Sequence, residues 1–195
     1  MEQYTHEQRK ALREVDWSRN VRPEFKGLTN DQIRCKLAPV RNNLVFAFNN
    51  ALRDFNFGGV VRVSNVFACK SVIYSGFKKY DPRGAVGTLN YEDIYHYPLI
   101  EDFKAIITNY RNVGYSFVVA ESDMYDKSVL LPHFRWSDKT VLMLGEEGTG
   151  VPEEFIEMAD VVVTVPQRGS INSMNVAGVA HILAYDYMIK TGRFS

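Results

Sequence analysis

VVVTVPQRGSINSMNVAGVAHILAYDYMIK, residues 161–190, joins the two most apolar elements of the chain through a polar loop. Val161–Val165 is an unbroken β-branched run, short enough for a buried strand. Val176, Val179, Ala180, Leu183, Ala184, Tyr187 and Met188 fall at the i, i+3, i+4, i+7 spacing of one buried helical face, which predicts a helix over Met174–Lys190. Ser173 is the expected N-cap, its hydroxyl accepting from the first free amides. Gly192 stands where a C′ residue is expected. A strand feeding a helix is the unit of a parallel sheet, and ligands gather at the carboxyl ends of such strands. The loop Pro166–Ser173 lies at one of these ends.

The same alternation continues upstream. Leu44–Phe48, Ser71–Tyr74, Tyr115–Ala120 and Thr140–Leu144 are further strand candidates, and Gly58–Ala68, Glu101–Asn112 and Pro152–Met158 are helix candidates. Strands alternating with helices predict an α/β fold, a mainly parallel sheet with helices on both faces. The first forty residues differ: they are polar and broken by Pro23, Gly27 and Pro39, with helical patterning at 6–15 and 29–37. The expected division is an N-terminal extension over 1–41 and one domain over 42–195.

Two more loops follow predicted strands. In LMLGEEGTGVPEEF, residues 142–155, Gly145, Gly148 and Gly150 permit a tight turn and close approach of a ligand to the backbone. Pro152 is placed to open the next helix. No Gly-Lys-Ser/Thr ending follows and the spacing is not GxGxxG, so neither nucleotide motif is present. Glu146 and Glu147 suit a cofactor with a positive centre and an adenosine half better than a pyrophosphate. In NFGGVVR, residues 56–62, Arg62 is set among valines, where burial would cost desolvation unless it meets an anion or faces a cleft. Singly, each feature has an ordinary explanation: a structural turn, a surface arginine, a helix cap. Three such loops after three strands point to one site.

Lys+Arg and Asp+Glu number 23 each, so an RNA partner would have to meet local positive charge. Residues 1–41 hold nine basic against six acidic side chains, leaving 14 against 17 in the rest. The start is charged from Glu2 and lacks an apolar h-region, so no secretory signal is expected. No apolar run reaches membrane-spanning length. Cys35 and Cys69, without CxxC spacing, read as reduced thiols of a cytoplasmic protein.

Taken together, the three loops resemble the motifs of the SPOUT superfamily, in its SpoU (TrmH-type) branch of RNA 2′-O-ribose methyltransferases. Asn56 and Arg62 match the first motif. LGEEGTG matches the second through Leu144, Gly145, Glu147, Gly148 and Gly150. VPQRGSINSMN matches the third through Pro166, Gly169, Ser173 and Asn175. The likeness covers roughly Asn43 to Lys190, with departures at Gln167, Met174 and Ala177.

The resemblance implies a C-terminal trefoil knot, a homodimer, and S-adenosyl-L-methionine bound within the knot, with no metal. It implies that Leu144, Gly145, Gly148, Gly150, Val165, Pro166, Gly169, Ile171, Ser173 and Met174 hold the cofactor. It assigns Arg62 to the ribose hydroxyl, Asn56, Ser173 and Asn175 to positioning, and Glu147 to loop shape or substrate contact. Arginine is a poor base, so Arg62 is expected to hold phosphate and stabilise alkoxide charge. Arg62, Lys78, Lys79 and Arg83 are the expected RNA contacts, with Tyr80, Tyr91, Tyr95 and Tyr97 available for stacking. tRNA is the expected substrate, ahead of rRNA. The alternatives are a knotted base-nitrogen methyltransferase and a non-catalytic RNA- or cofactor-binding dimer.

Overall fold

Leu44–Phe48 reads LVFAF, apolar at every position, and all five residues are buried. A strand alternates its side chains between faces, so such a run requires cover on both sides. A computed structural model describes residues 20–49, 55–76, 81–122, 125–146, 148–171 and 173–194. The helical patch predicted at 6–15, together with Lys78, Lys79, Tyr80 and Glu147, lies outside them. Among the described residues the strands are β1 (Leu44–Phe48), β2 (Ser71–Ser75), β3 (Ile94–Tyr97), β4 (Ser116–Ala120), β5 (Ser128–Leu130), β6 (Thr140–Leu144) and β7 (Val161–Thr164). The helices are α1 (Asn30–Leu37), α2 (Phe55–Val66), α3 (Ile100–Asn112), α4 (Glu153–Met158) and α5 (Val176–Lys190). The strands form one parallel sheet in the order β3-β2-β1-β6-β4-β7-β5.

Two cores result, one per face. Leu44, Phe46, Phe48, Leu142 and Leu144 pack with valines of α2 and with Ala180, Leu183 and Tyr187 of α5. Their strand neighbours Val45, Ala47, Val141 and Met143 pack instead with Phe103 and Ile107 of α3 and Phe155 of α4. The rings of Phe103 and Phe155 meet edge to face at 5.7 Å.

The five predicted strands are present to within a residue at each end. β3 and β5 were not predicted. Both are short, partly exposed edge strands, and neither has the unbroken apolar run that betrays a buried strand. The predicted start of the last helix needs correction: it begins at Val176, and its N-cap is Asn175, whose Oδ1 accepts from Ala177 N and Gly178 N at 3.1 and 3.2 Å. Ser173 therefore does not cap it. Likewise Pro152 is the N-cap of α4 rather than its first residue. At the far end of α5 the prediction holds. Gly192 is left-handed at φ 68°, and the amides of Gly192 and Arg193 close back on Ile189 O and Met188 O, a Schellman arrangement.

α2 ends in the same way without a glycine. Ala68 N donates to Asn65 O, Cys69 N donates to Ser64 O, and Ala68 takes the left-handed conformation at φ 48°. For a residue with a Cβ that conformation is unfavourable. Ala68→Gly is expected to stabilise the fold by about 1 kcal/mol. A thermal melt should show Tm raised by about 2–4 °C; an unchanged or lowered Tm would contradict the account.

The described part of the N-terminal segment packs on the domain. Thr29 and Gln32 form a reciprocal capping box at the start of α1, and Ile33 and Leu37 bury against Tyr91. Tyr91 is thereby withdrawn from any stacking role.

Candidate active site

Ala120, Leu144 and Thr164 end three neighbouring strands, β6, β4 and β7 being adjacent in the sheet. The turns beyond them enclose a cleft of about 380 Å³, within the range of small-molecule pockets. Leu144, Val163, Val165, Met174, Val176 and Val179 supply apolar wall, and Glu121, Ser122, Glu146, Thr149, Gln167 and Ser173 supply polar groups.

The glycine loop is a very tight hairpin. Glu146 N donates to Gly150 O at 3.1 Å, and Gly150 N returns a bond to Glu146 O at 2.9 Å. The backbone crosses so closely at Gly145 that a Cβ there would stand 2.7 Å from the Gly150 carbonyl carbon and 2.9 Å from Val151 N. Gly148 and Gly150 take left-handed conformations, at φ 99° and 69°. Glu121, one residue past β4, ties the loop to the sheet: its Oε2 accepts from Val151 N at 3.0 Å and its Oε1 from Ser122 N at 2.7 Å.

The loop before α5 is joined to the first residues of α2. Asn175 Nδ2 donates to Asn56 Oδ1 at 2.6 Å, while Asn175 Oδ1 caps α5. Behind this bond the helices are in van der Waals contact, since a Cβ on Gly59 would lie 2.9 Å from Ala177 Cβ. On its other side, Gly58 lets α2 sit on the 3₁₀ turn Pro82–Ala85: a Cβ there would meet Ala85 N at 2.8 Å. Asn175→Ala removes the cap and one partner of the buried Asn56. It should cost about 2 kcal/mol, against about 1 kcal/mol for Asn175→Ser, which keeps a cap but is too short to reach Asn56. Equal losses in urea unfolding would show that the Asn56 bond contributes nothing.

Of the cofactor residues expected from sequence, Leu144, Gly145, Gly148, Gly150, Val165, Ser173 and Met174 line the cleft. Pro166, Gly169 and Ile171 do not; they are exposed, Ile171 by 70%. Arg62 meets no desolvation cost. It is exposed on α2, outside the cleft, and makes no hydrogen bond or ion pair among the described residues. Its valine neighbours are buried on other sides of the helix. Arg83 is exposed beside Asp81, whose carboxyl it holds below the ordinary carboxylate range through side-chain and backbone hydrogen bonds. Sequence reasoning missed Glu121, Ser122 and Tyr125 in the cleft wall; the only available signal was that Ala120 also ends a parallel strand.

The cleft combines a backbone cradle, apolar walls and carboxylates, a donor set that suits a flat heterocycle joined to a cationic chain. Comparison with known proteins places the chain in a family and matches its fold. The SpoU rRNA Methylase family profile matches residues 43–185. The tRNA (guanosine(18)-2′-O)-methyltransferase TARBP1 of Mus musculus is 24% identical over 177 residues, 89% of this chain, and the chain spans 11% of that protein's length. The TrmH/SpoU tRNA modifying enzyme of A. aeolicus superposes with a TM-score of 0.71 at 22% identity, covering 86% of this chain and 88% of that one. The SpoU methyltransferase AviRb from Streptomyces viridochromogenes, solved with AdoMet, superposes at 0.67 with 21% identity, covering 82% and 62%.

Proposed function

The chain belongs to the SpoU rRNA methylase family, and from that membership we propose that it methylates a ribose 2′-hydroxyl of RNA, with tRNA as the preferred substrate and rRNA as the second. The observation that carries this reading is the convergence of two motif loops on one cleft, tied to the third motif by the Asn175–Asn56 hydrogen bond. The choice of tRNA rests on the tRNA substrates of the mouse relative and the A. aeolicus enzyme.

S-adenosyl-L-methionine supplies an electrophilic methyl group on a sulfonium. Leu144, Val165, Met174 and Val176 provide apolar cover for its adenine, and the Gly145–Gly150 backbone lets its polar portion approach closely. Val165 and Ser173 line the same cleft, and Pro166, Gly169 and Ile171 belong to the loop between them. Glu121 and Glu146 place negative charge around a cationic ligand, and Glu147 is assigned to loop shape or substrate contact. Asn56 and Asn175 fix the start of α2 against α5, and so fix the helix that carries Arg62. Arg62 meets the RNA: its guanidinium holds phosphate and stabilises charge as the 2′-oxygen loses its proton. Lys78, Lys79 and Arg83 extend the RNA surface, and residues 1–41 form an RNA-contacting extension.

The reading includes a C-terminal trefoil knot and a homodimer. The knot is supported by the chain's path: β7 lies across β4 from β6, and α5 then returns to pack on α2. The dimer is supported by Ile182, Tyr185, Ile189 and Phe194, which leave an apolar stripe exposed along and just beyond α5. The reading places the protein in the cytoplasm; among the described residues no helix is long and apolar enough to cross a membrane. Among the described residues no group of three or more His, Cys, Asp or Glu is placed to hold a metal ion.

The test is transfer of tritium from labelled S-adenosyl-L-methionine into total tRNA and, separately, total rRNA, followed by nucleoside analysis. A labelled 2′-O-methylnucleoside in the tRNA pool is expected. Label on a base would replace the reading with base methylation, and cofactor binding without label in either pool would replace it with a binding protein.

A further inference from the structure

The sheet has a second cleft, at its opposite end. It measures about 400 Å³ and is bordered by Arg41, Lys70, Ser71, Asp93, Tyr95 and Tyr110. Lys70 and Ser71 stand at the start of β2, and Arg41 stands just before β1. The cofactor cleft lies at the carboxyl end of the sheet, beyond β4, β6 and β7. The two clefts share no lining residue.

Arg41 is the unusual member. Its side chain is only 8% exposed, yet its guanidinium is not spent. Nη1 donates to Cys69 O at 2.6 Å and to Glu92 Oε2 at 2.9 Å, and Nη2 donates to Tyr91 O at 3.2 Å and to Glu92 Oε1 at 3.4 Å. Four bonds hold the fork still. Nε is left buried with no hydrogen-bond partner; the Asp93 carboxylate pairs with it only at 3.7 Å. The guanidinium is thus a fixed positive charge set beside Asp93 in the wall of a cleft that also carries an ammonium.

The aromatic members complete the pattern. Tyr95 and Tyr97 alternate on one face of the edge strand β3, and both line the cleft with Tyr110. Tyr95 is 49% exposed, so its ring offers a free stacking surface at the rim. Burial pushes the Tyr97 and Tyr110 phenols above their ordinary pKa, and they stay neutral donors and acceptors at physiological pH. Asp93, near Arg34 at 3.9 Å and Arg41, is an acceptor whose charge is already balanced.

We infer that this cleft is a ribonucleotide-binding site separate from the cofactor cleft. Tyr95 stacks on the base, Lys70 holds the phosphate against the fixed positive charge of Arg41, and Asp93 accepts from a ribose hydroxyl. Base stacking on an aromatic ring is tolerant of sequence, and a ribose hydroxyl contact distinguishes RNA from DNA. That the ribonucleotide belongs to a substrate RNA, gripped away from the methylated residue, rests on the methyltransferase reading above. A free mononucleotide would satisfy the same chemistry.

The experiment uses the full chain and fluorescence anisotropy with a labelled oligouridylate, the matching oligodeoxyuridylate, and unlabelled UMP as competitor. A pyrimidine probe avoids the adenosine-like site. Tyr95→Ala is expected to weaken oligouridylate binding about tenfold. Lys70→Ala is expected to weaken it severalfold with a shallower salt dependence. S-adenosyl-L-methionine affinity, measured by calorimetry, should be unchanged in both variants. Competition by UMP that Tyr95→Ala abolishes would identify a mononucleotide site; an effect on the oligonucleotide alone would identify an RNA site. Unaltered oligouridylate binding in both variants, or equal binding of the deoxy strand, would overturn the inference. Methyl transfer to RNA with unaltered binding would remove the cleft proposal alone. Altered binding in the absence of any methyl transfer would remove the methyltransferase reading alone.

Discussion

Arg62→Ala should lower methyl transfer to RNA by about 10²–10³-fold, the range seen when a donor to a developing oxyanion is removed. The fold should not notice. Arg62 is exposed on α2, and surface changes of this kind are usually within about 0.5 kcal/mol. S-adenosyl-L-methionine affinity should also hold, since Arg62 does not line the cofactor cleft. Arg62→Lys keeps the charge but loses the planar fork, and should recover only part of the rate. Steady-state kinetics with calorimetry separates the cases. Near-wild-type transfer in Arg62→Lys at neutral pH would rule out a bidentate role, and a parallel loss of cofactor affinity in Arg62→Ala would place the residue in the wrong site.

Gly145→Ala should act at the other end of the reaction. The new Cβ would stand 2.7 Å from the Gly150 carbonyl carbon, 2.9 Å from Gly150 Cα and 2.9 Å from Val151 N. All three are backbone atoms, so no rotamer change relieves them and the hairpin must open. Opening it strains the Glu146–Gly150 pair and the bond from Val151 N to Glu121. Overpacking of this kind costs roughly 1–3 kcal/mol. Since the deformed backbone is the cradle itself, cofactor affinity should fall at least about tenfold, the equivalent of the lower part of that range. Calorimetry showing unchanged affinity would mean that the loop has room the distances deny. The two variants also test the dimer. In a mixture, a subunit with an intact Gly145 loop can meet an intact Arg62 only from its partner. Restored transfer would assign Arg62 to the partner's cleft, and continued inactivity to its own.

The parts of the fold that were legible in sequence are those with burial on both faces. LVFAF is apolar throughout and TVLML carries only Thr140, at its start, so both read as strands buried on two faces and their limits were clear. IYHY at β3 and SVL at β5 lie on the sheet edges, where one side faces solvent and the sequence resembles loop. The last helix shows a different limit. Ser173 and Asn175 are two residues apart and equally competent to cap, and the choice falls to Asn175 in company with a side chain 119 positions earlier. Arg62 takes the ordinary alternative of a surface arginine: valines flank it in sequence, but they turn inward and it does not. The motif residues of the site were visible because they follow strands whose ends could be predicted. Glu121 was not, because only the sheet order brings the end of β4 between those of β6 and β7.

The Asn175–Asn56 hydrogen bond also sets a schedule. A chain is synthesised from its N-terminus, and early elements can begin to fold before later ones exist. β1, α2 and β2 are available long before Asn175 leaves the ribosome, so Asn56 must wait for this partner while more than half the chain is made. β6 must likewise enter beside β1, already in contact with β2 in the finished sheet. Pairings this distant in sequence are slow to form. The cofactor cleft is therefore among the last features of the molecule to come into being, and a nascent chain arrested before α5 would carry the glycine hairpin and Arg62 with nothing to hold them in relation to each other.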